Sequence, residues 1–290
     1  MKNFTFLILF LSACSAFAQP NCEAYKYYGD TLKYEACKKA MEIKGHYQFS
    51  KEYQTVLDES IEIDPTFDYA YWAKSIAYLK SGDFLTWKTL IDKAVELKPK
   101  EHLGYRGWCR YQFFRDYKGA IKDIEKLDSL VDYDIGQSQN GTYHLNIAKG
   151  LCYKAIGEKQ KAIKIIEDQI KLNEDENFVG ANDYLHLGVL YLETEMFEKA
   201  IETFKKQSEN NELAENQYYL ALTYKKLDYL NEYKSCIEKA KELYVGGRKM
   251  SDPYSNPMDK IYLENIEDEL KTTYHTGSYE KHEPDTLPIK

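Results

Sequence analysis

Beyond its first residues, the 290-residue chain has no apolar run approaching the roughly 20 residues that a membrane-crossing helix needs. It also lacks an excess of basic residues: 39 Lys and Arg stand against 47 Asp and Glu, a net charge of −8. A chain of that sign has no bulk attraction to nucleic acid or to anionic lipid. There is no Gly-rich phosphate loop, no Gly-x-Ser-x-Gly elbow, no His-Glu-x-x-His and no close Cys-x-x-Cys pair. The six His are scattered, and His102, His144 and His186 fall at different repeat positions, which predicts surface or partly packed side chains and no metal site. The acidic run 173–177 lacks the alternating oxygen ligands and the Gly of a calcium loop. Neither a cofactor nor a catalytic cluster is therefore expected, and the chain reads as a non-enzyme.

What is abundant is Tyr, 27 of them, and they recur at intervals. Ile-Asp-Pro65 and Leu-Lys-Pro99 stand one 34-residue period apart, and the same period organises residues 34–247. One unit is plainly legible, with Leu187-Gly188, Tyr191, Ala200 and Phe204 in order. That spacing resembles the tetratricopeptide repeat, a pair of helices joined by a tight turn. Six units follow, at about 34–67, 68–101, 102–134, 143–176, 181–214 and 214–247. Small residues at Ser75, Cys109, Gly150, Gly188 and Ala221 mark the first helices, and Ala120, Ala162 and Ala200 mark the second, where two helices must approach closely. Tyr53, Trp87 and Tyr233 stand at the second position in three units and predict wider spacing there.

The resemblance implies an all-α, right-handed α-solenoid of about six helix-turn-helix units. Residues 19–33 would form an N-terminal helical cap, and 248–271 a turn and a C-terminal capping helix. That helix is expected to begin near Pro257 with Asn256 as its cap, and 272–290 is expected to be a disordered tail. In that family the first helices line an inner groove that holds a peptide segment or helix of another protein. Transferred residue by residue, the groove would comprise Tyr69, Trp72, Ile76, Arg106, Arg110, Phe113, Tyr218 and Lys225. Aromatic side chains beside Arg make binding hot spots, and the two Arg could grip a carboxylate by forked hydrogen bonds. The Lys and Asn clamp with which some members hold a chaperone tail is absent, since the matching places hold Lys38, Glu42, Ala73, Leu103 and Gly107.

Residues 1–18 have the layout of a secretory signal: Lys2, an apolar run from Phe4 to Leu11, then small residues. Ala16-Phe-Ala18 reads as a cleavage site that releases a periplasmic or secreted protein. Leu11-Ser-Ala-Cys14 reads as a lipidation box, and acylation of Cys14 is the alternative, giving an outer-membrane lipoprotein that acts as an assembly factor; an enzyme with an unrecognised site is the remaining alternative. A cut before Cys14 leaves a signal of only 13 residues, which favours release. In an oxidising compartment Cys22 and Cys37 could form a disulfide stapling the N-terminal edge, or remain two buried thiols. The expected partner is another protein or a peptide, with no nucleic acid and no membrane insertion.

Overall fold

A computed structural model describes residues 19–176 and 178–276, with side chains through Lys271. The expected signal segment, Cys14 and residues 277–290 lie outside the described residues. Within them the structure is all-α, and no described helix is long and apolar enough to cross a membrane. The chain divides into two compact bodies that meet at Pro99 and Lys100.

The first body contains α1 (Cys22–Tyr27), α2 (Thr31–Ala40), a single 3-10 turn (Met41–Ile43), α3 (Lys51–Ile63), α4 (Asp68–Ser81) and α5 (Phe84–Leu97). Three of its five α-helix starts, those of α2, α3 and α5, are fixed by side chains that accept otherwise unpaired N–H groups of the first turn. Asp30 accepts from the Lys33 amide, Ser50 from that of Tyr53, and Asp83 from that of Thr86, each at 3.1 Å. Gly82, at φ 83°, ends α4 in the left-handed conformation, so α5 folds straight back on α4. Ala36, Ala40, Leu57, Phe67 and Ala70 form the core, and the Ser60 hydroxyl donates to the Ala36 carbonyl across it at 2.8 Å. Cys22 and Cys37 are disulfide-bonded with Cα atoms 5.5 Å apart, tying α1 to α2 over this core.

The second body stacks four hairpins. Their first helices are α6 (Pro99–Cys109) with a wider π turn (Arg110–Phe114), α8 (Leu145–Ala155), α10 (Asp183–Glu193) and α12 (Ala214–Lys226). Their second helices are α7 (Tyr117–Leu130), α9 (Lys159–Asp175), α11 (Phe197–Asn210) and α13 (Leu230–Val245). The small first-helix residues have a direct physical cause. A Cβ on Gly150 would come within 2.4 Å of Ile166, and one on Gly188 within 2.5 Å of the Phe204 ring. Tyr53, Trp87 and Tyr233, the large exceptions on second helices, are all buried.

The recurring Tyr joins one hairpin to the next. Tyr153 of α8 donates to Glu125 of α7 at 2.6 Å, and Lys161 of α9 sits 3.9 Å from the Tyr153 ring centre. The same trio returns one hairpin on, where Tyr191 donates to Glu167 and Lys199 lies 5.2 Å from the ring. Each ring thus packs its body between hairpins while its hydroxyl and face satisfy two charges.

Three details differ from the expectation. The final helix, α14 (Leu263–Thr276), starts six residues after Pro257, because Asp259 is drawn into the second body at φ 63°, a conformation that no helix can contain. Asn265 rather than Asn256 takes up the chain at its start, accepting from the Tyr262 amide at 2.8 Å. Helix α14 also continues through Thr276, past the point where a tail was expected, and Ile266 and Leu270 pack it onto α12 and α13. The acidic run beginning at Asn173 is helical as far as Asp175, with Asn173 buried against Gln169 and Asp183.

Two consequences can be measured by thermal unfolding. Gly188→Ala or Gly150→Ala should destabilise by about 1–3 kcal/mol through overpacking against Phe204 or Ile166, lowering the midpoint by several degrees. Cys37→Ser should remove about 3 kcal/mol from the first body, the amount a bridge closing a loop of this length supplies, and reductant should impose the same loss on the unaltered chain.

Candidate functional site: the first-helix face of the second body

The expected groove residues fall into two groups. In the first body Tyr69, Trp72 and Ile76 stand on α4, all half-buried, with the Tyr69 and Trp72 rings 5.4 Å apart and packed on the core around Phe67. Burial pushes the Tyr69 hydroxyl up to about 12. In the second body the aromatics pack sideways: Phe113 lies edge-on to Trp108 at 5.3 Å, and Tyr218 to Tyr219 at 5.3 Å.

The charged candidates are engaged. Arg106 donates to both oxygens of buried Asp123 on α7, through Nε at 2.9 Å and Nη2 at 2.7 Å. Arg110 reaches the same carboxylate at 3.0 Å and donates to the Gly119 carbonyl at 3.2 Å. Both Arg therefore hold the first hairpin of this body together, and the expected carboxylate fork is directed at the chain's own Asp123. Lys225 pairs with Glu269 of α14 at 2.6 Å, so the last hairpin's end of the groove is covered as well.

A different set of residues defines the site. Between α13 and α14 the chain from Arg248 to Tyr262 forms neither helix nor strand and lies against the first helices of all four hairpins. It leaves α12, where the Arg248 carbonyl accepts from the Ala214 amide at 2.9 Å and the Met250 amide donates to Glu215 at 3.0 Å. At the π turn Gln112 donates to Ser255 at 2.6 Å and to Asp252 at 3.3 Å, while its carbonyl accepts from Tyr143 at 2.8 Å. The strip then returns past α8 and α10. There the Asp259 carboxylate takes Lys154 Nζ at 2.5 Å on one oxygen and His186 Nδ1 at 2.7 Å on the other. A carboxylate can only accept, so Nδ1 carries the proton.

The electrostatics of this anchor follow from its surroundings. The Asp259 and Lys154 side chains are 6% and 7% exposed. Burial alone would raise the Asp259 carboxyl, but the His186 hydrogen bond and the Lys154 charge outweigh it and hold it below its ordinary value. A carboxyl held low stabilises the fold above its ordinary pKa and loses that contribution only as pH falls through the lowered value, so the anchor is fully formed at neutral pH. Glu215 is shifted the other way: burial raises it, against the hydrogen bond it accepts from the Met250 amide. Asp259 itself sits at φ 63°, where a side-chain-bearing residue is strained by roughly 1–2 kcal/mol. The ion pair offsets that strain.

Sequence reasoning missed Gln112, Lys154, His186, Glu215 and Asp259. His186, expected as a surface or partly packed side chain, is buried on Asp259. His102 is buried as well, and His144 caps α8 by accepting from the Asn146 amide at 3.0 Å while its other nitrogen meets Asp134. The one available signal was Lys154, a basic residue at a groove-facing place of its unit.

These hairpins define a helical-repeat protein whose first helices form a face wide enough to hold an extended chain. Three segments, 69–101, 143–176 and 184–212, match the sequence family of the tetratricopeptide repeat. These three segments are tetratricopeptide repeats, and the described hairpins share their helix-pair fold. Among solved structures it is similar to PilW, described as a widely conserved type IV pilus biogenesis factor, with a TM-score of 0.57 at 14% identity over 82% of this chain and 98% of that one. PilF of Pseudomonas aeruginosa gives 0.52 at 15% identity, over 78% and 89% of the two chains. YrrB, described as having an unusual peptide-binding site, gives 0.51 at 17% identity, over 64% and 91%. At these identities the likeness is one of fold. No curated protein matches in sequence.

Because Asp123 neutralises two partly buried Arg, Asp123→Ala should cost about 3–5 kcal/mol, whereas Arg110→Ala alone, which leaves the Arg106 fork in place, should cost less. Urea unfolding of the two variants compares them.

Proposed function

We propose that this protein is a non-enzymatic binding scaffold of the bacterial cell envelope that receives an extended segment of a partner protein on its first-helix faces. Tetratricopeptide-repeat proteins bind other proteins or peptides, and the observation that carries the reading here is the strip 248–262. A run of chain with no regular structure is held by side chains from four successive hairpins, which is the chemistry of peptide capture. Gln112 donates to the Ser255 and Asp252 side chains, Glu215 accepts from the Met250 backbone amide, and Lys154 with His186 receives a carboxylate. On α4 of the first body, the Tyr69 and Trp72 rings add half-exposed aromatic surface of the kind that dominates binding energy.

The envelope assignment is supported by the secretory layout of residues 1–18 and by the Cys22–Cys37 bridge, since disulfides persist where the medium is oxidising. The role of PilW in type IV pilus biogenesis is compatible with it. The mature protein begins at Gln19 in this reading; acylation at Cys14, with attachment to the outer membrane, is the second reading. Mass spectrometry of the mature N-terminus separates the two, an N-terminal acyl-Cys14 establishing the anchor and a free chain from Gln19 ruling it out.

The scaffold role is tested by photo-crosslinking in the native cell. A crosslinking residue at Tyr69 or Gln112 should trap a protein partner, and one at Lys164, exposed on a second helix, should not. Trapping from Lys164 alone, or from none of the three, would overturn the assignment.

A further inference from the structure

The strip from Arg248 to Tyr262 has the properties of a seated ligand more than of a connection. Fifteen residues without helix or strand are far more than joining α13 to α14 requires, and loops of that length in compact domains usually serve a function. Its attachments are directional and polar, and they come from every hairpin of the second body. Two apolar side chains also anchor it, Met250 and Ile261, the latter within the core that α12, α13 and α14 share, while Ser251, Pro253, Tyr254 and Asn256 are exposed. The helices beneath it carry fully buried side chains of their own, Ile124, Ile166 and Ile237 among them.

From this juxtaposition we propose that residues 248–262 are a built-in ligand of the second body. In this proposal a partner segment of like chemistry, an extended chain with an aspartate and an aliphatic residue two positions beyond it, displaces the strip. It rests on the scaffold reading above and names what the scaffold recognises. The aspartate enters between Lys154 and His186, the aliphatic side chain takes the place of Ile261, and a partner amide donates to Glu215. Tethering decides the balance in the resting protein. A segment joined to its site acts at an effective concentration on the order of millimolar, so a free competitor at micromolar level is excluded until the strip is loosened or the competitor brings additional contacts. The face is then closed to weak, nonspecific peptides and open to a partner that binds elsewhere on the protein as well.

The test uses the full-length protein and a fluorescent peptide of residues 248–262. Asp259→Ala removes the carboxylate of the strip, and Asp259→Asn does so with almost no change of shape. In both variants the Met250 amide should exchange hydrogen at least tenfold faster than in the unaltered chain, with helicity retained. Both should bind the peptide at least tenfold more tightly than the unaltered chain does, because the competent fraction of sites has risen. A peptide carrying Asn in place of its aspartate should lose that gain, as should Lys154→Ala combined with Asp259→Ala. Failure of either folded variant to bind the peptide, or equal binding by the unaltered chain, overturns the proposal. If the partner trapped at Gln112 is captured equally by the unaltered chain and by Asp259→Ala, the displacement step is overturned while the scaffold function stands.

Discussion

Every hairpin in this protein has to bring two helices so close that one side chain of the first has almost no room. Gly150 against Ile166 and Gly188 against Phe204 show how little space remains, and Ser75, Cys109 and Ala221 occupy the corresponding place elsewhere. With that approach made, the large buried residues of each second helix interlock with the first helix, and the orientation of each first helix is fixed. The face the first helices present follows from it. Loosening the contact would move every residue on that face, because a close-packed interior transmits displacement rather than absorbing it.

Between hairpins a second constraint operates. Tyr153 and Tyr191 each sit against a Glu of the preceding hairpin and under a Lys of their own, so each ring is held at three points. A Phe would fill the same volume but leave the Glu and Lys without their common partner. This accounts for the chain's preference for Tyr in its stacked helices, and it fixes the turn from one hairpin to the next, on which the alignment of Gln112, Lys154, His186 and Glu215 depends. The strip 248–262 touches all four, and its buried Asp259 is compatible with the fold only because Lys154 and His186 come from adjacent hairpins held in register.

A family of binding proteins usually offers its partners an open face. Here the second body's face is already engaged by the chain's own strip, and the two Arg that composition suggested as ligand grips are committed to Asp123. The carboxylate grip exists, but Lys154 and His186 make it and an internal Asp satisfies it. In the mechanism we propose, recognition is a competition between a tethered segment and a visiting one, and specificity comes from what the visitor must outdo as well as from what it must match.

Repeat period, small close-contact positions, turn residues and the all-α class were legible in the sequence because each is local. Gly82 and Gly157 end helices by their own backbone freedom, and a 34-residue spacing needs no knowledge of distant contacts. The start of α14 was not legible: Asn256-Pro257 is a good local helix start, and it lost to a buried ion pair formed with residues 73 and 105 positions earlier. Arg106 and Arg110 were misread for the same reason, since a helix position fixes which way a side chain leaves the backbone but not which carboxylate it meets. The sequence by itself determined that this chain folds into stacked helix pairs with a face of first helices. Only the tertiary structure decided what occupies that face, because an ion pair between distant residues leaves no periodic trace and is settled by which charges burial brings together.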